Sequence, residues 1–83
     1  MNSEDKISKM KKAQNMDDSF GNRIKNARQR KGLSLEEAAV LLSIKQKELI
    51  KYESNLSLPR MRNLITLAKI YGTTTDYLLG INK

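Results

Sequence analysis

Residues 33–53 read LSLEEAAVLLSIKQKELIKYE, and the pattern in this stretch decides the fold. Ser34 is a strong N-cap residue with Glu37 three positions on, the pairing of a capping box. In that motif the hydroxyl accepts from the N3 amide while the carboxylate accepts from the cap amide. Ala38, Ala39 and Leu42 then fall on one face at helical spacing, with Leu35 one turn earlier. Ala39 is small, which suits a place where two helices approach closely. Ser43-Ile44-Lys45 interrupts the periodicity, and Leu49, Tyr52 and Glu53 resume it on the inner face of another short helix. The stretch therefore predicts two short helices joined by a tight corner.

The outer face of the second helix of this pair carries the chemistry. At roughly 100° per residue, Gln46, Ile50, Lys47 and Lys51 occupy one continuous arc opposite Leu49, Tyr52 and Glu53. A row of this width fits a DNA major groove. Gln pairs well with adenine, Lys donates to guanine, and an apolar Ile50 can sit on a thymine methyl. Two helices so arranged form a helix-turn-helix, in which the first braces the second against the sugar-phosphate backbone.

Working outward, a helix should begin near Asp18 or Ser19, with Phe20, Ile24 and Ala27 facing inward and Gly32 ending it in a left-handed turn. Beyond Glu53, Ser54-Asn55 forms a loop, and Asn tolerates positive φ better than most residues. Pro59 introduces a fourth helix expected to bury Met61, Leu64, Leu67, Ala68 and Tyr71 and to stop at Gly72. Thr74 caps a last short helix through Leu78 and Leu79, stopped by Gly80. Tyr52, Tyr71 and Tyr77 all fall at inward positions, as packing residues. No strand-like alternation, repeat or low-complexity segment occurs. The expected fold class is all-α, a compact five-helix domain over residues 19–83 with the helix-turn-helix at its second and third helices. Residues 1–18 form a separate tail, flexible or a frayed helix, in which Ile7 and Met10 make a thin apolar stripe.

The ordered landmarks resemble the phage-repressor and Cro helix-turn-helix family, the xenobiotic-response-element or lambda-repressor-like type. They run from Arg23-Ile24-Lys25-Asn26-Ala27-Arg28 through Lys31-Gly32-Leu33-Ser34 and Lys51-Tyr52-Glu53-Ser54-Asn55 to Pro59. Asn63-Leu64, Leu67-Ala68 and Thr75-Asp76-Tyr77-Leu78-Leu79-Gly80 complete the set, so that the likeness spans about Phe20 to Gly80. The resemblance implies a sequence-specific regulator of transcription, such as a phage-type or bacterial repressor, that binds double-stranded DNA in the cytoplasm. It implies base contacts from Gln46 and Lys47, with Lys51 reaching bases or backbone. It places backbone contacts at Ser54, Asn55, Arg60 and Arg62, and Lys45 can reach phosphate as well. Arg28 and Glu53 match a structural ion pair that joins the first helix to the end of the third. A homodimer on a two-fold operator is expected, formed through Leu78, Leu79 and Ile81 of the C-terminal helix and tail.

Three departures from the family open a second reading. Leu35 stands where relatives commonly have Gln, Ser43 where the corner usually has glycine, and Val40 and Leu41 where relatives are usually charged. Exposed apolar clusters often mark protein contacts. The alternative is a protein-interaction module that keeps the helix-turn-helix fold and binds a protein partner through the second helix.

Composition narrows the remaining classes. The chain has 83 residues, 39% hydrophobic and 30% charged, which suits one small globular domain rather than a disordered chain. It contains no cysteine and no histidine, so neither a disulfide nor a zinc site is expected. Gly21, Gly32, Gly72 and Gly80 are too scattered for a phosphate loop, and no nucleophile has a plausible base. Neither an enzyme nor a cofactor is expected. No apolar run reaches membrane-spanning length. The net charge of +7 is unevenly placed: residues 1–19 hold four of the 16 basic and four of the nine acidic residues, leaving twelve against five beyond them. A basic folded part suits a polyanion, because neutralised phosphates release condensed counterions.

Overall fold

The computed structural model describes residues 19–81, so the expectation for the tail at residues 1–18 lies outside the described residues. Five helices follow in order: α1 (Phe20–Arg30), α2 (Leu35–Leu42), α3 (Gln46–Glu53), α4 (Met61–Tyr71) and α5 (Thr75–Leu79). Among the described residues there is no strand. No described helix is long and apolar enough to cross a membrane.

Caps set most of the boundaries. Ser19 Oγ accepts from the Asn22 amide at 3.2 Å and starts α1. At α2 the capping box is complete: the Glu37 amide donates to Ser34 Oγ at 3.0 Å, and the Ser34 amide donates to Glu37 Oε1 at 2.9 Å. Thr74 Oγ1 accepts from the Tyr77 amide at 3.0 Å and starts α5. These bonds satisfy amide donors that the first turn of a helix leaves without an intrahelical acceptor. The α2–α3 corner turns on Ser43 at φ 58° and ψ 42°, a left-handed conformation that costs a residue with a Cβ about 1–2 kcal/mol. The loop after α3 turns on Asn55 at φ 64°.

The core draws on every helix. Ile24, Leu49, Leu67 and Leu78 are its fully buried large side chains, one each from α1, α3, α4 and α5. From α2 come Ala38 and Leu42, with Ala39 also buried. Burying such an aliphatic side chain contributes about 1.5–3 kcal/mol, which for a domain this small makes each position matter.

Two positions differ from the pattern read in the sequence. Met61 is not buried: it is 65% exposed, because the first residue of α4 lies beyond the edge of the core that Leu64 and Leu67 fill. Leu78, expected at a dimer contact, is 0% exposed and belongs to the core of its own chain. The short α5 lies against α1 and α4, and Leu78 is its one buried residue. Tyr77, as expected, packs against the core; it is half-buried, its ring beneath the Arg30 guanidinium with 5.9 Å between the guanidinium carbon and the ring centroid.

Candidate nucleic-acid interface

The position of α3 is fixed from behind. Leu49 and Tyr52 seat its inner face in the core. At its C-terminal end Glu53 is held by Arg28 of α1: Nε donates to Oε2 at 2.7 Å and Nη2 to Oε1 at 3.0 Å, a bidentate pair. The third guanidinium nitrogen, Nη1, donates to the Leu33 carbonyl at 2.9 Å, so Arg28 also anchors the entry to α2. Both side chains are only 8% exposed. The hydrogen bond to Glu53 raises the Arg28 pKa against the opposing pull of burial, which leaves the guanidinium firmly charged. Planar fork-to-carboxylate geometry of this kind fixes orientation as well as distance.

A second clamp lies beside it. The Gly21 amide donates to Asn55 Oδ1 at 2.8 Å, and Asn55 Nδ2 donates to Ser19 Oγ at 3.1 Å. Glycine is required here by proximity, because a Cβ on residue 21 would collide with the Glu53 carbonyl oxygen. The start of α1 and the end of α3 therefore touch backbone to backbone. The sequence gives no local signal of this contact, since its partners are 34 residues apart.

With its inner face so held, α3 presents Gln46, Lys47, Ile50 and Lys51 to solvent. All four are exposed, Ile50 at 43%. Lys45 is the N-cap residue of α3 and is likewise exposed, with no side-chain capping bond. A flat row of one amide, three ammonium groups and one branched aliphatic side chain can donate, accept and make apolar contact, the three interactions that base edges in a major groove offer.

The remaining sequence-picked residues divide. Arg60 and Arg62 are exposed at the start of α4 and line an open groove of about 640 Å³ with Ile44, Glu48, Leu58 and Met61. Arg60 is the N-cap residue and makes no side-chain capping bond, and the first turn of α4 carries no acidic residue. Uncapped first-turn amides beside two guanidinium groups make an environment for an anion. Ser54, the C-cap of α3, is exposed. Asn55 already uses its side chain on Gly21 and Ser19. The amides of Ser54, Asn55, Leu56 and Ser57 donate to carbonyls of Ile50, Tyr52 and Lys51 within the chain. In this loop, hydroxyl and side-chain groups are thus better placed than backbone amides to meet a phosphate.

Reading the sequence missed Arg23, whose Nε donates to the Leu78 carbonyl at 2.9 Å and ties α1 to α5. It also missed the Tyr71 hydroxyl, which is buried with no hydrogen-bond partner, and burial raises the Tyr71 phenol pKa. Burial raises the Tyr52 phenol as well, with a hydrogen bond from Asn63 pulling the other way.

Comparison with known proteins bears on the fold as a whole. A family model described as Helix-turn-helix matches residues 24–78. The HTH-type transcriptional regulator ImmR of Bacillus subtilis (strain 168) is 42% identical over 62 residues, covering 75% of this chain and 49% of that protein. The SPbeta prophage-derived uncharacterized HTH-type transcriptional regulator YonR of the same strain is 38% identical over 60 residues, covering 72% of this chain and 56% of that protein. The chain thus spans about half the length of the curated relatives it matches.

Proposed function

This chain belongs to the helix-turn-helix family, and we propose that it is a sequence-specific reader of double-stranded DNA that regulates transcription, as a repressor of the phage type. The observation that carries this reading is the contrast across α3. Its inner face is locked by Leu49, Tyr52 and the Arg28–Glu53 pair, while Gln46, Lys47, Ile50 and Lys51 stand exposed and unobstructed on the outer face. In the major groove, Gln46 and Lys47 read base edges, Ile50 meets a thymine methyl, and Lys51 reaches a base or the backbone. Lys45, Ser54, Arg60 and Arg62 contact phosphates, which set register and affinity without choosing sequence. Asn55 serves the same loop by holding its shape.

One domain of this size covers one half-site, so we propose that the protein acts in the cytoplasm as a homodimer on a two-fold operator. Leu79 and Ile81, 44% and 64% exposed at the C-terminal end, are the apolar residues available there for the second copy, now that Leu78 is accounted for in the core. The family match and the likeness to transcriptional regulators favour DNA over a protein ligand as the primary partner of the fold.

The test is selection from randomised duplex oligonucleotides at physiological salt, followed by affinity measurement over a salt series. A two-fold consensus should emerge. With about five phosphates neutralised, log affinity should fall against log salt with a slope near −4 to −5. Absence of any enriched sequence, or an affinity flat in salt, removes the proposal.

A further inference from the structure

The outer face of α2 carries a surface that DNA reading does not use. Val40 is 72% exposed and Leu41 52% exposed, and with Leu33, Glu36 and Glu37 they line an open groove of about 390 Å³. Residues 36, 37, 40 and 41 share one face of α2 at helical spacing, and Leu33, just before the Ser34 cap, lines the same groove, so one stripe carries the apolar and the acidic groups together. The inner face of the same helix is already committed to the core through Ala38, Ala39 and Leu42. In a chain of net charge +7, this stripe holds two of the nine acidic residues next to each other. Such a patch repels a phosphate backbone and suits a basic, apolar ligand.

The chain itself contains a segment of that chemistry. Residues 6–12 read KISKMKK, four lysines and no acid around Ile7 and Met10. We propose that this basic N-terminal segment occupies the α2 groove of its own chain. Ile7 and Met10 cover Val40 and Leu41, and lysines of the segment face Glu36 and Glu37. Reach allows it: from Met10 to Ser19 the chain can span about 30 Å at roughly 3.3–3.6 Å per residue. The axis of the 11-residue α1, which separates Ser19 from the entry to α2, measures about 17 Å at 1.5 Å per residue. Tethering also supplies an effective concentration on the order of millimolar, enough for a contact of two apolar residues and a few ion pairs to form within one chain.

The chain has no cysteine, so Ser3→Cys gives a single attachment point for a nitroxide on the full-length protein. Spin-labelled chain at low concentration should broaden the amide resonances of residues 36–41 selectively, leaving the exposed face of α3 sharp. The broadening should be lost in Val40→Glu, which alters an exposed residue and leaves the core intact. It should be lost equally in Lys9→Glu combined with Lys11→Glu, which alters nothing in the described residues. Two outcomes overturn the proposal. One is broadening that spares α2 or survives both variants. The other is equal broadening of isotope-enriched, unlabelled chain when spin-labelled, unenriched chain is added, which would make a second copy the occupant.

Discussion

At the C-terminal end of α3, Arg28 spends three donors on Glu53 and the Leu33 carbonyl, Asn55 bonds the Gly21 amide and Ser19 Oγ, and the following loop amides turn back onto α3 carbonyls. At the N-terminal end of α4, Arg60 caps nothing, Arg62 adds a second positive charge, and Leu58 and Met61 remain 74% and 65% exposed. The two regions are joined by a single loop yet are built to opposite ends. The first pairs its charged groups and loop amides internally and thereby fixes where α3 points. The second leaves its first-turn donors to solvent and sets two cations at a helix start, an arrangement that favours an arriving anion. Substitutions in the first region should therefore be read in unfolding, and those in the second in binding.

The largest expected effect is Arg28→Ala. Removing one member of a buried pair leaves the other charge unmatched, a loss of about 3–5 kcal/mol in comparable cases. Both side chains are 8% exposed, which places this pair near that range. Combining Arg28→Ala with Glu53→Gln should recover part of the loss. Strictly additive losses in denaturant melts would show that the two ends of the joint do not depend on each other. Gly21→Ala comes next, since its new methyl meets the Glu53 carbonyl oxygen and α1 must shift away from α3. Overpacking of this sort costs about 1–3 kcal/mol, and an unchanged midpoint would mean that the contact is slack.

In the open region and on the outer face of α3 the readout changes. Gln46→Ala should lower affinity for the selected site by about 1–3 kcal/mol and spare non-specific binding. Arg60→Ala should weaken all duplexes alike and reduce the salt slope by about one. Neither should change the unfolding free energy by more than the roughly 0.5 kcal/mol usual for surface sites. If both variants lose the same increment on matched and mismatched DNA, the division between base reading and phosphate contact is wrong.

What the sequence disclosed followed range of interaction. The Ser34–Glu37 capping box, the Thr74 cap and the exposed row on α3 are readable because each rests on residues within a turn or two of one another. The Gly21–Asn55 clamp and the Arg23 bond to the Leu78 carbonyl join residues 34 and 55 apart, and nothing local marks them. Met61 and Leu78 were misassigned for the same reason. Helical spacing says which residues share a face, but only the packing of α4 and α5 decides where the core stops.

The smallest predicted effect sets two corners against each other. Ser43 and Asn55 are the two described residues other than glycine with positive φ, at 58° and 64°. Glycine adopts that conformation without a Cβ clash, which relieves about 1–2 kcal/mol, but it loses about 0.5–1 kcal/mol in chain entropy. Ser43 is exposed, and the corner amides of residues 43 and 44 donate to the carbonyls of Val40 and Ala39, bonds that a glycine at residue 43 keeps. Ser43→Gly should therefore stabilise by about 0.5–1 kcal/mol, raising the thermal midpoint by roughly 2–8 °C for a domain of this size. Asn55→Gly gains the same backbone relief but deletes the acceptor of the buried Gly21 amide, a loss of about 1–3 kcal/mol. It should lower the midpoint. Equal shifts of one sign would mean that backbone conformation alone governs both corners and that the Gly21–Asn55 bond contributes nothing to the joint.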